Sequence, residues 1–258
     1  SGADDTVIVA TERPQAKPAS AQEMQFGAGA AAVRLVKGDV IARFLGAGSV
    51  SLNFPDHVRA EGASDPYFWE ERWIRDEGYG KLIPPAVKAA LAEAGLGIGD
   101  MDYFVMPSVI RRGAQTVAKT LGFKGEVADD LAASCGLAGV AHAFLMLARV
   151  LETAEAGQRI LVVGFGQGAD AIVLEATGKR ASGRGVSAAL ADKMVTQDYL
   201  RFLSFYGRIE LDWGMRAEGA EKAALTNAWR AAGQLSAFKA GKCPKCATVQ
   251  FPQLPLCV

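Results

Sequence analysis

Nine residues of this chain occur twice in closely similar form. Gly27-Ala28-Gly29-Ala30-Ala31-Ala32-Val33-Arg34-Leu35 aligns without a gap on Gly166-Gln167-Gly168-Ala169-Asp170-Ala171-Ile172-Val173-Leu174. Each copy follows a short apolar run, Val7 to Ala10 in one and Ile160 to Val163 in the other. An unbroken apolar run of that length reads as a strand buried on both faces. The glycines that follow mark a reversal from which the next strand pairs back. The same order of strand, glycine turn and strand, met twice, points to an internal duplication.

The copies differ in what precedes them. Ahead of the second lie two helices, a strand, another helix and a long apolar helix. Ser64-Asp65-Pro66 reads as a helix start, with a side-chain cap and proline at the first turn. Pro84-Pro85 reads as the start of a second helix, with Val87, Ala90, Leu91 and Ala94 on one face and Gly95 as its stop. Met101 to Met106 reads as a strand. Arg111 to Leu121 reads as a helix with its stripe at Ala114, Val117, Ala118 and Leu121. From Leu137 to Leu151 only His142 and Arg149 interrupt an apolar surface, which predicts a helix packed on all sides. The first copy has none of these. Residues 1–52 are therefore expected to be the last strands of a first half and residues 53–177 a second half, with the rest of the first half outside this sequence. Thr6 to Ala10 and Phe26 to Val36 are expected to pair in a sheet facing another that contains Ile160 to Ala176. That sheet should leave an apolar edge exposed or covered by another chain. Residues 178–241 read as a helical linker, with helices near Leu190 to Phe205 and Glu221 to Ala240, and residues 242–258 as a separate small module.

Half the residues are apolar, and Lys+Arg and Asp+Glu both number 28, so the formal net charge is zero. That balance argues against a nucleic-acid partner or a polybasic membrane patch, both of which need clustered positive charge. No apolar run reaches the ~18 residues of a spanning helix. The four cysteines, three of them near the C-terminal end, do not resemble a secreted disulfide framework. A cytoplasmic location is the expectation.

Together the duplicated unit, the segment DMDYFVMPSVIRRGAQTVAKTLGF, and the pair SCGLAGVAHAFLMLARVL and ILVVGFGQGADAIVL resemble the thiolase superfamily. The members nearest in pattern are hydroxymethylglutaryl-CoA synthase and ketoacyl-acyl-carrier-protein synthase III-like proteins. The C-terminal GKCPKCATVQFP resembles the start of the zinc-ribbon/OB-fold module that accompanies many of them. The resemblance implies a layered α-β-α-β-α fold of the α/β class. It implies C–C condensation or cleavage on an acyl-CoA or acyl-carrier-protein thioester through an acyl-cysteine, in a homodimer or hetero-oligomer. The family's nucleophile lies in the first half, upstream of Ser1, so the missing half of the same fold becomes an expected partner. The family also uses a histidine after the strand matching residues 102–106, where Val105 or Met106 stands here. A further polar group in the turn before the second buried helix is replaced by Leu137 and Ala138.

Four groups of residues are candidates for chemistry. Cys135 stands just ahead of the long helix, where the helix dipole favours a thiolate; a structural cysteine of the second repeat is the plainer account. Arg111 and Arg112 lie between a strand and a helix, where phosphate can be held, or are a solvated pair. Gly166 and Gly168, by resemblance, line the floor of a substrate pocket; a hairpin alone also explains them. Cys243, Cys246 and Cys257 have the spacing for three corners of a tetrahedral Zn²⁺ site, incomplete for want of a fourth ligand as in a truncated ribbon; a redox CxxC is the alternative, without the βαβ setting such a motif has. His142 reads as a satisfied core residue and His57 as a loop histidine, so no convincing general base emerges. Tyr67, Phe68, Trp69 and Trp73 suit an acyl pocket or a subunit interface.

Overall fold

A computed structural model describes residues 5–68, 70–210, 225–235, 237–254, 256 and 257. The chain divides into two compact units, Ser1–Gln197 and Asp198–Val258. In chain order the first contains β1 (Asp5–Glu12), β2 (Gly29–Val36), β3 (Ala42–Ser51), β4 (His57–Val58) and β5 (Tyr67–Phe68). Helix α1 (Glu71–Trp73) runs through a π-helical turn, Ile74–Tyr79, into α2 (Gly80–Ala94). Then come β6 (Tyr103–Val105), α3 (Gly113–Thr120), β7 (Glu126–Val127) and α4 (Ala132–Cys135). A 3-10 turn, Gly139–Ala141, leads into α5 (His142–Leu151), followed by β8 (Arg159–Phe165), β9 (Gly168–Ala176) and α6 (Val186–Ala191).

The central sheet has the strand order β3-β9-β8-β6-β7. Strands β6, β7 and β8 are parallel to one another, and β9 runs antiparallel between β3 and β8. Alternation along each strand divides the core in two. Phe104, Leu161 and Val163 face α2 and α3, whose Ile83, Val87, Ala90, Val117 and Ala118 are buried with them. Val105, Ile160 and Val162 face the other way, onto Met146, Leu147 and Val150 of α5. Each fully buried aliphatic side chain of this kind contributes about 1.5–3 kcal/mol.

Strands β1 and β2 pair antiparallel, Ile8 opposite Val33, in a two-stranded ribbon of their own. Because β2 packs on α5, that helix separates the ribbon from the five-stranded sheet. The duplication extends to the pairing register. Val7, Ile8 and Val9 oppose Arg34, Val33 and Ala32, just as Leu161, Val162 and Val163 oppose Val173, Ile172 and Ala171. The environments differ completely. Leu161, Val162 and Val163 are 0%, 7% and 0% exposed, whereas Val7, Ile8 and Val9 are 58%, 42% and 64% exposed. Strand β8 has β6 on its far edge and helices on both faces; β1 has no second neighbouring strand among the described residues.

Several expectations are corrected. The strand at Thr6 to Ala10 forms but is not buried, because nothing among the described residues covers it. Strand β3, within residues 1–52 and read with no assigned partner, pairs with β9 in the central sheet. Ser64-Asp65-Pro66 starts no helix: the Ser64 hydroxyl donates to Asp65 instead of capping, and Tyr67–Phe68 pairs with His57–Val58. Pro84 and Pro85 lie inside α2, which begins earlier because the π-helical turn feeds into it. Helix α5 is not packed on all sides: Ala148 is exposed, and Val140 just ahead of it is 66% exposed.

The second unit contains α7 (Tyr199–Phe205), α8 (Leu225–Leu235) and the short hairpin β10 (Gly241–Lys242) and β11 (Val249–Gln250). The helix expected over Leu190 to Phe205 is thus two, α6 and α7, separated by an extended stretch. Asp198 starts α7 by accepting the Arg201 N–H at 3.0 Å. No helix among the described residues is long and apolar enough to cross a membrane.

Candidate functional site

The turn ahead of α5 is built from local side-chain bonds. Asp129 accepts the Leu131 N–H at 2.9 Å and Asp130 accepts the Ala132 N–H at 3.0 Å. Cys135 follows as the last residue of α4, not the first of a long helix; the 3-10 turn intervenes before α5. Its thiol lies 3.5 Å from the Leu131 carbonyl and 3.4 Å from that of Gly136, both acceptors. Burial pushes its pKa up, against an opposing pull from Lys193. These contacts and the raised pKa are those of the structural cysteine that was the plainer reading, not of a dipole-activated thiolate.

His142 is buried and braces the same turn. Its Nε2 lies 2.5 Å from the Asp130 carbonyl oxygen, and its Nδ1 lies 3.2 Å from the Ala138 amide nitrogen. A carbonyl only accepts and an amide N–H only donates, so the ring is neutral with its proton on Nε2. Burial lowers its pKa. Its position fits the core role read from the sequence.

This turn meets the ribbon through bare backbone. The Gly27 N–H donates to Leu137 O at 3.0 Å, and the Leu137 N–H donates to Gln25 O at 2.7 Å. A Cβ on Gly27 would lie 1.7 Å from the Cys135 carbonyl oxygen, so only glycine fits there. Glu12, at the end of β1, accepts the Val140 N–H at 2.7 Å. Leu137, Ala138, Val105 and Met106, which stand where polar groups are expected, are all buried.

On the opposite side of the sheet a groove of about 430 Å³ opens between the π-helical turn and α3. Tyr79, Ile110, Gly113 and Val117 line its interior, and Glu71, Arg75, Asp76 and Arg111 also border it. Arg75 is spent on Asp76, Nε to Oδ1 at 2.8 Å. Arg111 has no side-chain hydrogen bond or ion pair among the described residues, which leaves it available to an anion. Arg112 is exposed and adopts φ 59° at the start of α3; it does not border the groove. The Tyr79 hydroxyl meets Ser108 at 3.2 Å, and burial raises its pKa. Tyr79 had no local signal to mark it, because its inward turn comes from the π-helical geometry.

Gly166 is exposed at the tip of the β8–β9 hairpin. Gly168, with φ 135°, is pressed on β3, where a Cβ would meet the Val50 carbonyl oxygen at 2.0 Å. Neither borders the groove. Near the hairpin Phe165 contacts Tyr79 edge-on at 4.8 Å, and Phe54 stacks on Trp73 at 5.8 Å. Phe68 stacks on His57, whose Nδ1 lies 2.6 Å from Asp56. Trp69 lies outside the described residues.

In the second unit Cys243, Cys246 and Cys257 converge, all three Sγ atoms within 4.8 Å of one another. Tetrahedral zinc with Zn–S bonds of about 2.3 Å separates its sulfurs by about 3.8 Å, so this donor set fits the ion. The Cys243 N–H donates to Thr248 O and the Ala247 N–H to Cys243 O, both at 2.9 Å. Thr248 beside Cys246 draws that thiol down to about 6, and the neighbouring Cys246 raises Cys257.

Residues 91–175 match the family of 3-oxoacyl-[acyl-carrier-protein] synthase III, C-terminal domain. This part of the chain has a thiolase-like fold. Hydroxymethylglutaryl-CoA synthase of Caldivirga maquilingensis is 31% identical over 219 residues, covering 81% of this chain and 61% of that protein. The enzyme of that name from Methanocaldococcus jannaschii is 31% identical over 173 residues, 66% of this chain and 50% of that one. The chain thus spans between half and about three fifths of these curated relatives. The fold is similar to that of 3-oxoacyl-(acyl carrier protein) synthase III from Pseudomonas aeruginosa, with a TM-score of 0.57 at 21% identity over 69% of this chain and 59% of that one. It is also similar to MvaS in complex with 3-hydroxy-3-methylglutaryl coenzyme A, with a TM-score of 0.56 at 18% identity over 72% and 55%. Residues 91–175 carry β6 to β8 and nearly all of β9, with α3, α5 and both glycines of the second repeat, whereas β3 of the central sheet lies outside the match.

Proposed function

We propose that this chain forms the second-half wall of a thiolase-superfamily pocket that makes or breaks a C–C bond on a CoA or acyl-carrier-protein thioester. The nucleophilic cysteine comes, in this reading, from a first half that is not among these residues. One observation carries the proposal: two strand pairs share one register, yet one is buried and the other bare. A ribbon with Val7, Ile8 and Val9 in water is half of a sheet that needs its other strands. The relatives named as hydroxymethylglutaryl-CoA synthases support the reaction class, and the unpaired Arg111 beside the groove suits a phosphate of the thioester carrier. Cys135, protonated and bonded to carbonyls, is structural in this scheme. The exposed ribbon favours assembly with another chain, as a dimer or hetero-oligomer. Cys243, Cys246 and Cys257 would hold zinc at the start of a ribbon module, where the ion orders the hairpin. Titration of the chain with CoA by calorimetry tests the groove. Binding that Arg111→Glu abolishes supports it; binding unchanged by that substitution removes the groove from the account.

A second reading is favoured by Val105, Met106, Leu137 and Ala138, all apolar and buried where polar groups are expected. Here the protein is a degenerate partner that scaffolds an active thiolase-like enzyme. Condensation and thiolysis of acyl-CoA, assayed with and without such a partner, separate the two. Turnover without the partner eliminates the scaffold.

A further inference from the structure

We propose that Cys246 and Cys257 form a reversible disulfide by exchange with a small-molecule disulfide of the glutathione type, and that this bond and a metal ion exclude each other. The sulfur positions carry the pairing. The two Sγ atoms are 3.4 Å apart, and both residues are exposed, so an oxidant reaches them. The other obvious pair is Cys243 with Cys246, two thiols of one tight turn. That turn is fixed by the bonds of Cys243 to Thr248 and Ala247, and Ala247 holds φ 60° in the left-handed region. Cys243 is also half-buried. Drawing its sulfur onto Cys246 reworks a turn already bonded at both ends. Cys257 belongs to a separate stretch eleven residues on, and closes on Cys246 without drawing the half-buried Cys243 out of its bonds.

The chemistry balances without any further reagent. One protein thiolate attacks a sulfur of glutathione disulfide, expels one glutathione thiolate and leaves a mixed disulfide. The second protein thiolate attacks the protein sulfur of that mixed disulfide and expels the second glutathione. Two protein thiols are oxidised, one disulfide is reduced to two thiols, and the two protons pass to the departing glutathiones. Two of the three clustered sulfurs are then unavailable to a cation, because a metal takes thiolates and not disulfide sulfur. The exclusion rests on the zinc reading above; the pairing does not.

The test uses the full chain, freed of metal with a chelator, exposed to glutathione disulfide and capped with iodoacetamide before peptide mapping by mass spectrometry. The expected product is a Cys246–Cys257 cross-link two hydrogens lighter, with Cys135 and Cys243 alkylated and the cross-link lost in dithiothreitol. Cys243→Ser should keep the cross-link, and prior loading with zinc should prevent it. A predominant Cys243–Cys246 link, or a glutathione adduct that never resolves, overturns the pairing. A zinc-loaded chain that oxidises at the metal-free rate overturns the exclusion. A chain that takes up no zinc but forms the cross-link refutes the zinc reading and leaves the pairing standing.

Discussion

His142 holds the turn before α5 from inside, so its proton content is a term in stability. Its pKa is lowered from the ordinary 6.5 by burial. The unfolded chain therefore takes up the proton first as pH falls, and the native state loses stability below about 6.5. Above that value the stabilisation is complete. His142→Ala leaves the Ala138 amide and the Asp130 carbonyl without their partner, at a cost of about 1–3 kcal/mol. It should also flatten the acid limb of a plot of urea midpoint against pH; an unchanged limb would mean that another group titrates. Gly27 makes a different demand. Its Cβ would overlap the Cys135 carbonyl, so Gly27→Ala should destabilise by about 1–3 kcal/mol through forced backbone movement. Thermal denaturation against wild type checks this. The core role of His142 was read from the sequence, though its partners were not; the demand on Gly27 was not visible, because it depends on a contact between segments distant in sequence.

At the scale of elements, the duplicated strand pairs are a comparison built into one chain. Leu161 and Val7 occupy equivalent register positions, one buried and one exposed. Leu161→Ala should cost about 2–5 kcal/mol, whereas Val7→Ala should stay within about 0.5 kcal/mol. Equal costs in chemical denaturation would mean that β1 is covered after all. Strands β1, β2, β6, β8 and β9, α3 and the Gly95 stop of α2 were legible because periodicity and turn glycines are local signals, whereas the two-residue strands such as β4 and β5 were not. The burial of β1 was misread for a physical reason: an apolar run reports the environment it was built for. The start of α2 was misread because a π-helical turn has no comparable sequence signature, and that turn is what brings Tyr79 into the groove.

For the molecule as a whole, the thiolase-like fold was legible from several segments agreeing in order. The candidate site was legible only in part. Arg111 borders the groove, whereas Gly168 serves strand packing and Arg112 does not border it. The cysteine cluster was foreseen from CxxC spacing, and the convergence of Cys257 on it is a property of the fold. The central claim is that the nucleophile of this chemistry is not in this chain. Its most direct test is to incubate the chain with an acyl-CoA thioester, then read intact mass and free CoA together. The account predicts no acyl adduct on Cys135 and no CoA released above the uncatalysed rate. An acyl group on Cys135 with catalytic release of CoA would contradict it.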